Sequence, residues 1–192
     1  LNTTYKIEVI FKKDKCILLI NDEVHQVISN LRELSNPLPT KYYIGSGMDS
    51  DTSITGYLDT FKSQVGVQDS EVVIDKPAVH LPLETNATNV GFTPLTVNSV
   101  GSPTYTTVGG KKCIKFEAGK YLTIDSNNIF NLGTNSDFYL EMDVYVDQEV
   151  SLRSLITNSS ETDGVYIING RCYLLFNNSY SVISDNICSL NK

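Results

Sequence analysis

The 192-residue sequence has no tryptophan, only two histidines, and four cysteines that stand far apart without a Cys-x-x-Cys pair. Zinc sites use clustered thiolates or imidazoles, so this distribution argues against a zinc ion. No apolar run approaches the roughly 18 residues that a transmembrane helix needs, and we therefore expect no membrane insertion.

Clustered positive charge is also lacking. Lys and Arg number 15 against 22 Asp and Glu, which gives a net charge of −7 at pH 7. The pairs Lys12-Lys13 and Lys111-Lys112 flank probable turns and lie about a hundred residues apart in the sequence, rather than in one basic cluster. Because nucleic-acid binding requires several cations to neutralise phosphates, the composition predicts no nucleic-acid partner.

The chain begins at Leu1 without an initiator Met and without a signal peptide, so we expect it to be a segment of a longer protein. Its cysteines, Cys16, Cys113, Cys172 and Cys188, each lie within a β-like run. This placement is typical of buried thiols that act as small apolar side chains. A disulfide between Cys172 and Cys188 is compatible with their spacing but is not required by it.

What the sequence has in abundance is period-two alternation, the pattern of a β-strand with one buried face. The clearest case predicts that Phe138, Leu140, Met142, Val144 and Val146 point inward. The pairs Asn21-Asp22 and Asn169-Gly170 predict tight hairpins, since Asn, Asp and Gly tolerate positive φ. About fourteen such strands without an amphipathic helix favour an all-β, two-sheet antiparallel jelly-roll sandwich.

Three features interrupt this pattern. Gly56, within the long strand-like run of residues 54–65, suits a β-bulge or a close backbone approach. Residues 66–77 are polar at first and end at Pro77, which predicts a linker. Residues 85–103 are rich in Asn, Thr, Gly and Pro, which predicts a long loop.

Several segments resemble strands of laminin-G-like, concanavalin A-like domains. Residues 78–84, 112–116, 121–124 and 137–146 are similar to the opening strands of that family, and residues 5–9, 19–24, 43–45 and 56–61 are similar to its closing strands. Where the family has a tryptophan and an Asn-Gly turn, this chain has Thr4 and Asn21-Asp22. The resemblance implies the concanavalin A-like version of the sandwich.

The order of these segments is the reverse of the family's order. Closing strands occupy residues 1–65, and opening strands occupy residues 78–192. We expect the two segments to pack together as one permuted sandwich joined by the linker, because open half-sandwiches would expose strand edges and apolar faces. A strand-exchanged oligomer is the alternative.

One predicted strand face carries candidate ligand-binding residues, namely Tyr139, Glu141, Asp143 and Tyr145. Related β-glucanases carry Glu-x-Asp-x-(x)-Glu, in which the last glutamate is the general acid. Glu141 and Asp143 match the first two acids, but Tyr145 or Val146 stands where that general acid belongs. We therefore predict no catalysis, and interpret the tyrosines and acids as either a saccharide-binding groove or ordinary sheet-face packing.

We expect no cofactor, with calcium as the open alternative, and two loop pairs of carboxylates are candidates for binding it. They are Asp49 with Asp51 and Glu161 with Asp163. Calcium takes six to eight oxygen ligands from flexible loops, but solvated turn residues have the same composition.

These observations lead to three hypotheses of function. The first is a non-catalytic binding or structural module of a larger extracellular or virion-surface protein, such as an adhesin or phage fibre, as the resemblance implies. Its partners would be a cell-surface glycan or protein receptor and neighbouring repeats of the same protein. The second is a glycoside hydrolase that uses Glu141 and Asp143, and the third is a structural spacer without a ligand.

Overall fold

The computed structural model describes residues 4–12, 15–29, 41–45, 56–65, 77, 79–125, 138–146, 153–158, 164–176 and 179–182. No described residue lies in a helix. Fifteen strands occupy these ranges: β1 Tyr5–Lys12, β2 Lys15–Ile20, β3 Glu23–Ser29, β4 Lys41–Ile44, β5 Gly56–Val65, β6 Val79–Leu81, β7 Val97–Val100, β8 Thr104–Val108, β9 Lys111–Phe116, β10 Tyr121–Asp125, β11 Phe138–Val146, β12 Arg153–Asn158, β13 Gly164–Ile168, β14 Arg171–Phe176 and β15 Ser179–Val182.

The described strands form two antiparallel sheets. Sheet A has eight strands in the order β3-β2-β1-β11-β5-β9-β8, with β6 also paired to β5, and sheet B has seven in the order β15-β14-β13-β12-β4-β10-β7. This arrangement confirms the predicted all-β, two-sheet antiparallel jelly-roll sandwich. The narrower concanavalin A-like label stays a prediction from the resemblance.

The core lies between the two sheets and follows the predicted alternation. In β11 the side chains of Leu140, Met142 and Val144 are buried, and their partners in β1 include the buried Ile7 and Val9. Sheet B contributes further buried side chains to the same cluster, among them Tyr42, Ile44, Leu122, Ile124, Val165 and Leu174. The side chains of Phe138 and Val146 lie outside the described part of the structure.

Both predicted tight turns are present. Asn21 and Asp22 have φ values of 52° and 66°, and Asn169 and Gly170 have 49° and 74°. These left-handed conformations match the twist of the flanking antiparallel strands, which is why Asn, Asp and Gly occur there.

Two sequence predictions differ from the structure. Residues 85–103 were expected to form loop, but β7 lies within them and pairs with β10, where Val97 packs against the core. At Gly56 the pairing is regular, and the irregularity lies further along β5, where Met142 is opposite Phe61 but Val144 is opposite Leu58. Asp59 and Thr60 of β5 are therefore both opposite the single residue Asp143 of β11, which defines a β-bulge in β5.

This bulge in β5 positions polar side chains on the outer face of sheet A. An extra residue resets the two-residue alternation, so that Leu58 and Phe61 are both buried although they are three positions apart. For the same reason Asp59 and Lys62 both reach the outer face, where they contact side chains of neighbouring strands.

Strands of residues 1–65 and strands of residues 79–182 are hydrogen-bonded within the same sheets. β1 pairs with β11, β5 pairs with β6, β9 and β11, and β4 pairs with β10 and β12. The interpretation of the two segments as halves of family domains in permuted order stays a prediction. Residues 66–76 of the predicted linker lie outside the described residues.

Candidate functional site

The outer face of sheet A brings together polar side chains of β1, β5, β9 and β11. All four predicted ligand-binding residues, Tyr139, Glu141, Asp143 and Tyr145, lie on this face, since they alternate with the buried residues of β11. The structure divides them between two neighbouring groups. Tyr139 and Glu141 belong to one, and Asp143 and Tyr145 belong to the other.

The first group, here called the glutamate cluster, consists of Lys6, Glu8, Lys62, Tyr139 and Glu141. Glu8 and Glu141 are directly opposite each other across the β1–β11 pair. The Tyr139 hydroxyl lies 2.5 Å from Oε1 of Glu8 and 2.7 Å from Oε2 of Glu141. Lys62 Nζ lies 2.5 Å from Glu141 Oε1, and Lys6 Nζ lies 3.1 Å from Glu8 Oε1 and 3.5 Å from Glu141 Oε2. Each carboxylate is thus paired with an ammonium, and the two share the single hydrogen of the Tyr139 hydroxyl.

Burial and charge fix the protonation states in this cluster. Burial raises the pKa of Tyr139, and the adjacent Glu8 and Glu141 carboxylates raise it further, so the hydroxyl keeps its proton. Burial alone would raise the pKa of Glu141, but Lys62 and Tyr139 outweigh it and the pKa is lowered. The Tyr139 residue is only 3% exposed. It therefore acts as an internal hydrogen-bond donor rather than a surface for a ligand.

The second group, here called the tyrosine–aspartate pocket, consists of Tyr57, Asp59, Lys111, Asp143 and Tyr145. The rings of Tyr57 and Tyr145 meet edge to face, with centroids 5.3 Å apart. Lys111 Nζ lies 3.2 Å from Oδ2 of Asp143 and 3.4 Å from Oδ2 of Asp59. The walls are completed by Thr4, Val108 and Cys113. Its enclosed space is about 10 Å³, so it has room for about one water molecule while the Lys111 side chain is in place.

The electrostatics of this pocket favour a cation. Burial raises the pKa of Asp59, and the Asp143 and Glu84 carboxylates raise it further, while Lys111 acts in the opposite direction. The pKa of Lys111 is raised chiefly by Asp143. Burial and the charge of Asp59 also raise the pKa of the Cys113 thiol, which stays protonated and is a poor nucleophile.

Sequence reasoning missed the partners that other strands supply. Glu8 is 131 residues from Tyr139, and Lys62 is 79 residues from Glu141. The alternation of β1 does predict that Lys6 and Glu8 face away from the core, but no local signal indicates which strand lies beside β1. Asp59 was missed for a further reason, since no local signal predicts the bulge that places it and Thr60 opposite Asp143.

A further depression lies on the loop between β6 and β7. The side chain of Asn89 holds this loop, because its Oδ1 accepts hydrogen bonds from the backbone N–H of His80 and Gly91 and its Nδ2 donates to the Thr93 carbonyl. Phe92, which lines the depression, is 63% exposed.

The calcium candidates Asp49, Asp51, Glu161 and Asp163 lie outside the described residues. Among the side chains that are described, no three His, Cys, Asp or Glu residues converge on a position for a metal ion. Cys16, Cys113 and Cys172 are buried, as expected of apolar thiols, and Cys188 lies outside the described residues.

Comparisons of this chain with protein-family models, with curated proteins and with solved structures found no match. The described part of the chain contains no helix long and apolar enough to cross a membrane.

Proposed function

We propose that the chain is a non-catalytic, glycan-binding module of a larger extracellular or virion-surface protein, with the tyrosine–aspartate pocket as its binding site. The supporting observation is the Tyr57–Tyr145 ring pair beside the carboxylates of Asp59 and Asp143. Saccharide sites combine aromatic rings, which contact the apolar faces of sugar rings, with polar groups that hydrogen-bond the hydroxyls. The proposed surface location and the neighbouring repeats of the same protein rest on the family resemblance.

The glutamate cluster has a supporting role in this proposal. It connects β1, β5 and β11 next to the pocket by charged hydrogen bonds, and so keeps β11 in register. A fixed β11 holds Asp143 and Tyr145 in position, because both belong to the same strand as Glu141. Binding sites are more selective when the supporting side chains are themselves held by neighbours.

The alternative function is glycoside hydrolysis, first considered for Glu141 with Asp143. One observation favours a hydrolase: Glu8 and Glu141 approach the same hydroxyl, so their nearest oxygens are at most about 5 Å apart, close to the spacing of retaining enzymes. Against it, the lowered pKa of Glu141 suits a nucleophile but not a general acid, and Tyr145 or Val146 stands where the general acid of the related enzymes belongs. The carboxylates of Glu8 and Glu141 are also already engaged in ion pairs with Lys6 and Lys62.

A glycan array tests these functions. We expect the wild-type protein to bind a subset of glycans, and Tyr57→Ala and Tyr145→Ala to lose that binding. The matched control is Tyr121→Ala, because Tyr121 forms a similar ring pair with Tyr43 on sheet B, 5.7 Å between centroids. Equal loss in the control would contradict the assignment of the pocket.

Two other results would favour the other hypotheses. Cleavage of a bound glycan by the wild-type protein, abolished by Glu141→Gln, would identify a hydrolase. Failure of the correctly folded wild-type protein to bind any glycan would favour the structural spacer.

A further inference from the structure

The position of Lys111 indicates what kind of ligand the tyrosine–aspartate pocket accepts. Its ammonium lies between two carboxylates from different strands, Asp59 of β5 and Asp143 of β11. These carboxylates are largely shielded from water, with side-chain exposures of 19% and 22%. Shielded carboxylates that lie close together both stay ionised only with a positive charge between them; without it one of them takes up a proton.

Other charges near the pocket do not meet this requirement. Lys115 lies over the ring of Tyr57, but its ammonium is 3.0 Å from Glu117 and is paired there. Glu84 adds negative charge near Asp59. Lys111 is thus the cation that balances the pocket among the side chains that the structure describes.

Lys111 is also easy to displace. Its side chain is 56% exposed, and it directly follows the Gly109-Gly110 turn of the β8–β9 hairpin. A largely exposed lysine loses little by leaving an ion pair, because water solvates its ammonium. Once it moves, its place between Asp59 and Asp143 becomes available beside the rings of Tyr57 and Tyr145.

We propose that the pocket selects an amino sugar, whose ammonium group replaces that of Lys111 between Asp59 and Asp143. This inference rests on the proposed glycan-binding function and adds the chemical class of the ligand. The sugar ring would contact Tyr57 or Tyr145, and the ammonium would restore the charge that Lys111 provided. A uronic or sialic acid would meet the two carboxylates as a like charge, so acidic sugars are disfavoured.

Isothermal titration with three sets of oligosaccharides tests the inference at about pH 6, where an amine is protonated. The probes are glucosamine oligomers, the same oligomers with N-acetyl groups, and oligomers of a uronic acid. We expect the wild-type protein to prefer the glucosamine oligomers by about tenfold over the N-acetylated ones and to show no binding of the acidic set.

Variants of the pocket locate the preference. Lys111→Met should bind glucosamine oligomers about tenfold more tightly, because the competing internal ammonium is gone. Lys112→Met is the matched control: it removes the same charge from the next residue, whose side chain is exposed and does not line the pocket, and its affinity should be unchanged. Asp143→Asn should abolish the preference for amine over N-acetyl.

The outcomes separate this inference from the proposed function. Equal affinity for both neutral and amine-bearing sugars would overturn the amine selectivity and leave glycan binding intact. Binding of Nα-acetyl-lysine methylamide but of no sugar would show that the pocket receives a protein lysine, and would overturn both. Absence of binding by any of these probes, with the wild-type protein folded, would refute the amino-sugar inference, and an empty glycan array in addition would refute the proposed function.

Discussion

The hydroxyl of Tyr139 provides a sharp test of the glutamate cluster. Replacing Tyr139 by Phe removes one oxygen from a side chain that is buried and that reaches the carboxylates of Glu8 and Glu141. A hydroxyl has a single hydrogen, so it donates to one carboxylate at a time. Its removal therefore deletes one charge-assisted hydrogen bond and leaves the buried Glu8 and the partly buried Glu141 with one donor fewer between them.

Hydrogen bonds to charged groups contribute about 1.5–3 kcal/mol to stability. We expect Tyr139→Phe to lower the free energy of unfolding by about 2 kcal/mol, which corresponds to about 4–8 °C in Tm for a domain of this size. Urea denaturation followed by circular dichroism measures the first quantity, and a thermal scan measures the second. Glycan binding should persist, because the Tyr139 ring is covered.

A control and a double-mutant cycle complete the test. Tyr105→Phe removes a hydroxyl from a tyrosine that is 37% exposed, and should change stability by less than about 0.5 kcal/mol. Combining Tyr139→Phe with Glu141→Gln should give a coupling energy of at least about 0.5 kcal/mol. Additive effects, or a Tyr139→Phe variant as stable as the wild type, would refute the cluster.

Three further predictions concern two positions in the core and the pH dependence of the glutamate cluster. Gly45→Ala should destabilise the protein strongly, because Gly45 has a φ of 85° and an added Cβ would lie 2.7 Å from the Phe116 ring. Gly109→Ala is the control, since Gly109 has a φ of 58° and open space around an added Cβ, and should cost only about 1 kcal/mol. Equal losses of unfolding free energy in the two variants would contradict the contact with Phe116. Met142→Ala should cost about 2–5 kcal/mol by denaturant titration, since its side chain is buried in the core, and a value near zero would argue against that burial. The pKa of Glu141 is lowered, so the stability that its carboxylate contributes is present above the ordinary carboxyl pKa and is lost as the pH falls through the lowered value. The free energy of unfolding of Glu141→Gln should therefore depend less on pH than that of the wild type below about pH 4. An unchanged pH profile would contradict the pairing of Glu141 with its lysines.

Prediction from the sequence reached furthest where the information is local. The inward positions of Leu140, Met142 and Val144 follow from alternation along one strand, and the turn at Asn21-Asp22 follows from which residues tolerate positive φ. Strand β7 was missed, because Val97 and Val100 are separated by polar residues and the surrounding composition is typical of loop. Its pairing with β10, rather than its own sequence, makes it a strand.

The candidate site shows the same limit. Tyr139, Glu141, Asp143 and Tyr145 were found to share a face because they are two residues apart. Sequence reasoning could not separate them into a buried pair and a pocket-lining pair. That division depends on Lys6, Lys62 and Lys111, which reach β11 from β1, β5 and β9.

The sequence by itself determined the class of fold and the face on which each side chain of β11 lies, since both follow from a period of two residues along a single strand. Only the tertiary structure decided which strands are neighbours, and therefore which charges meet. The bulge in β5 is the clearest example, because it brings Asp59 next to Lys111 and Asp143. No local sequence pattern in β5 predicts this change in pairing. Side-chain direction is a local property of the backbone, whereas electrostatic partnership depends on how distant strands are arranged in the sheet.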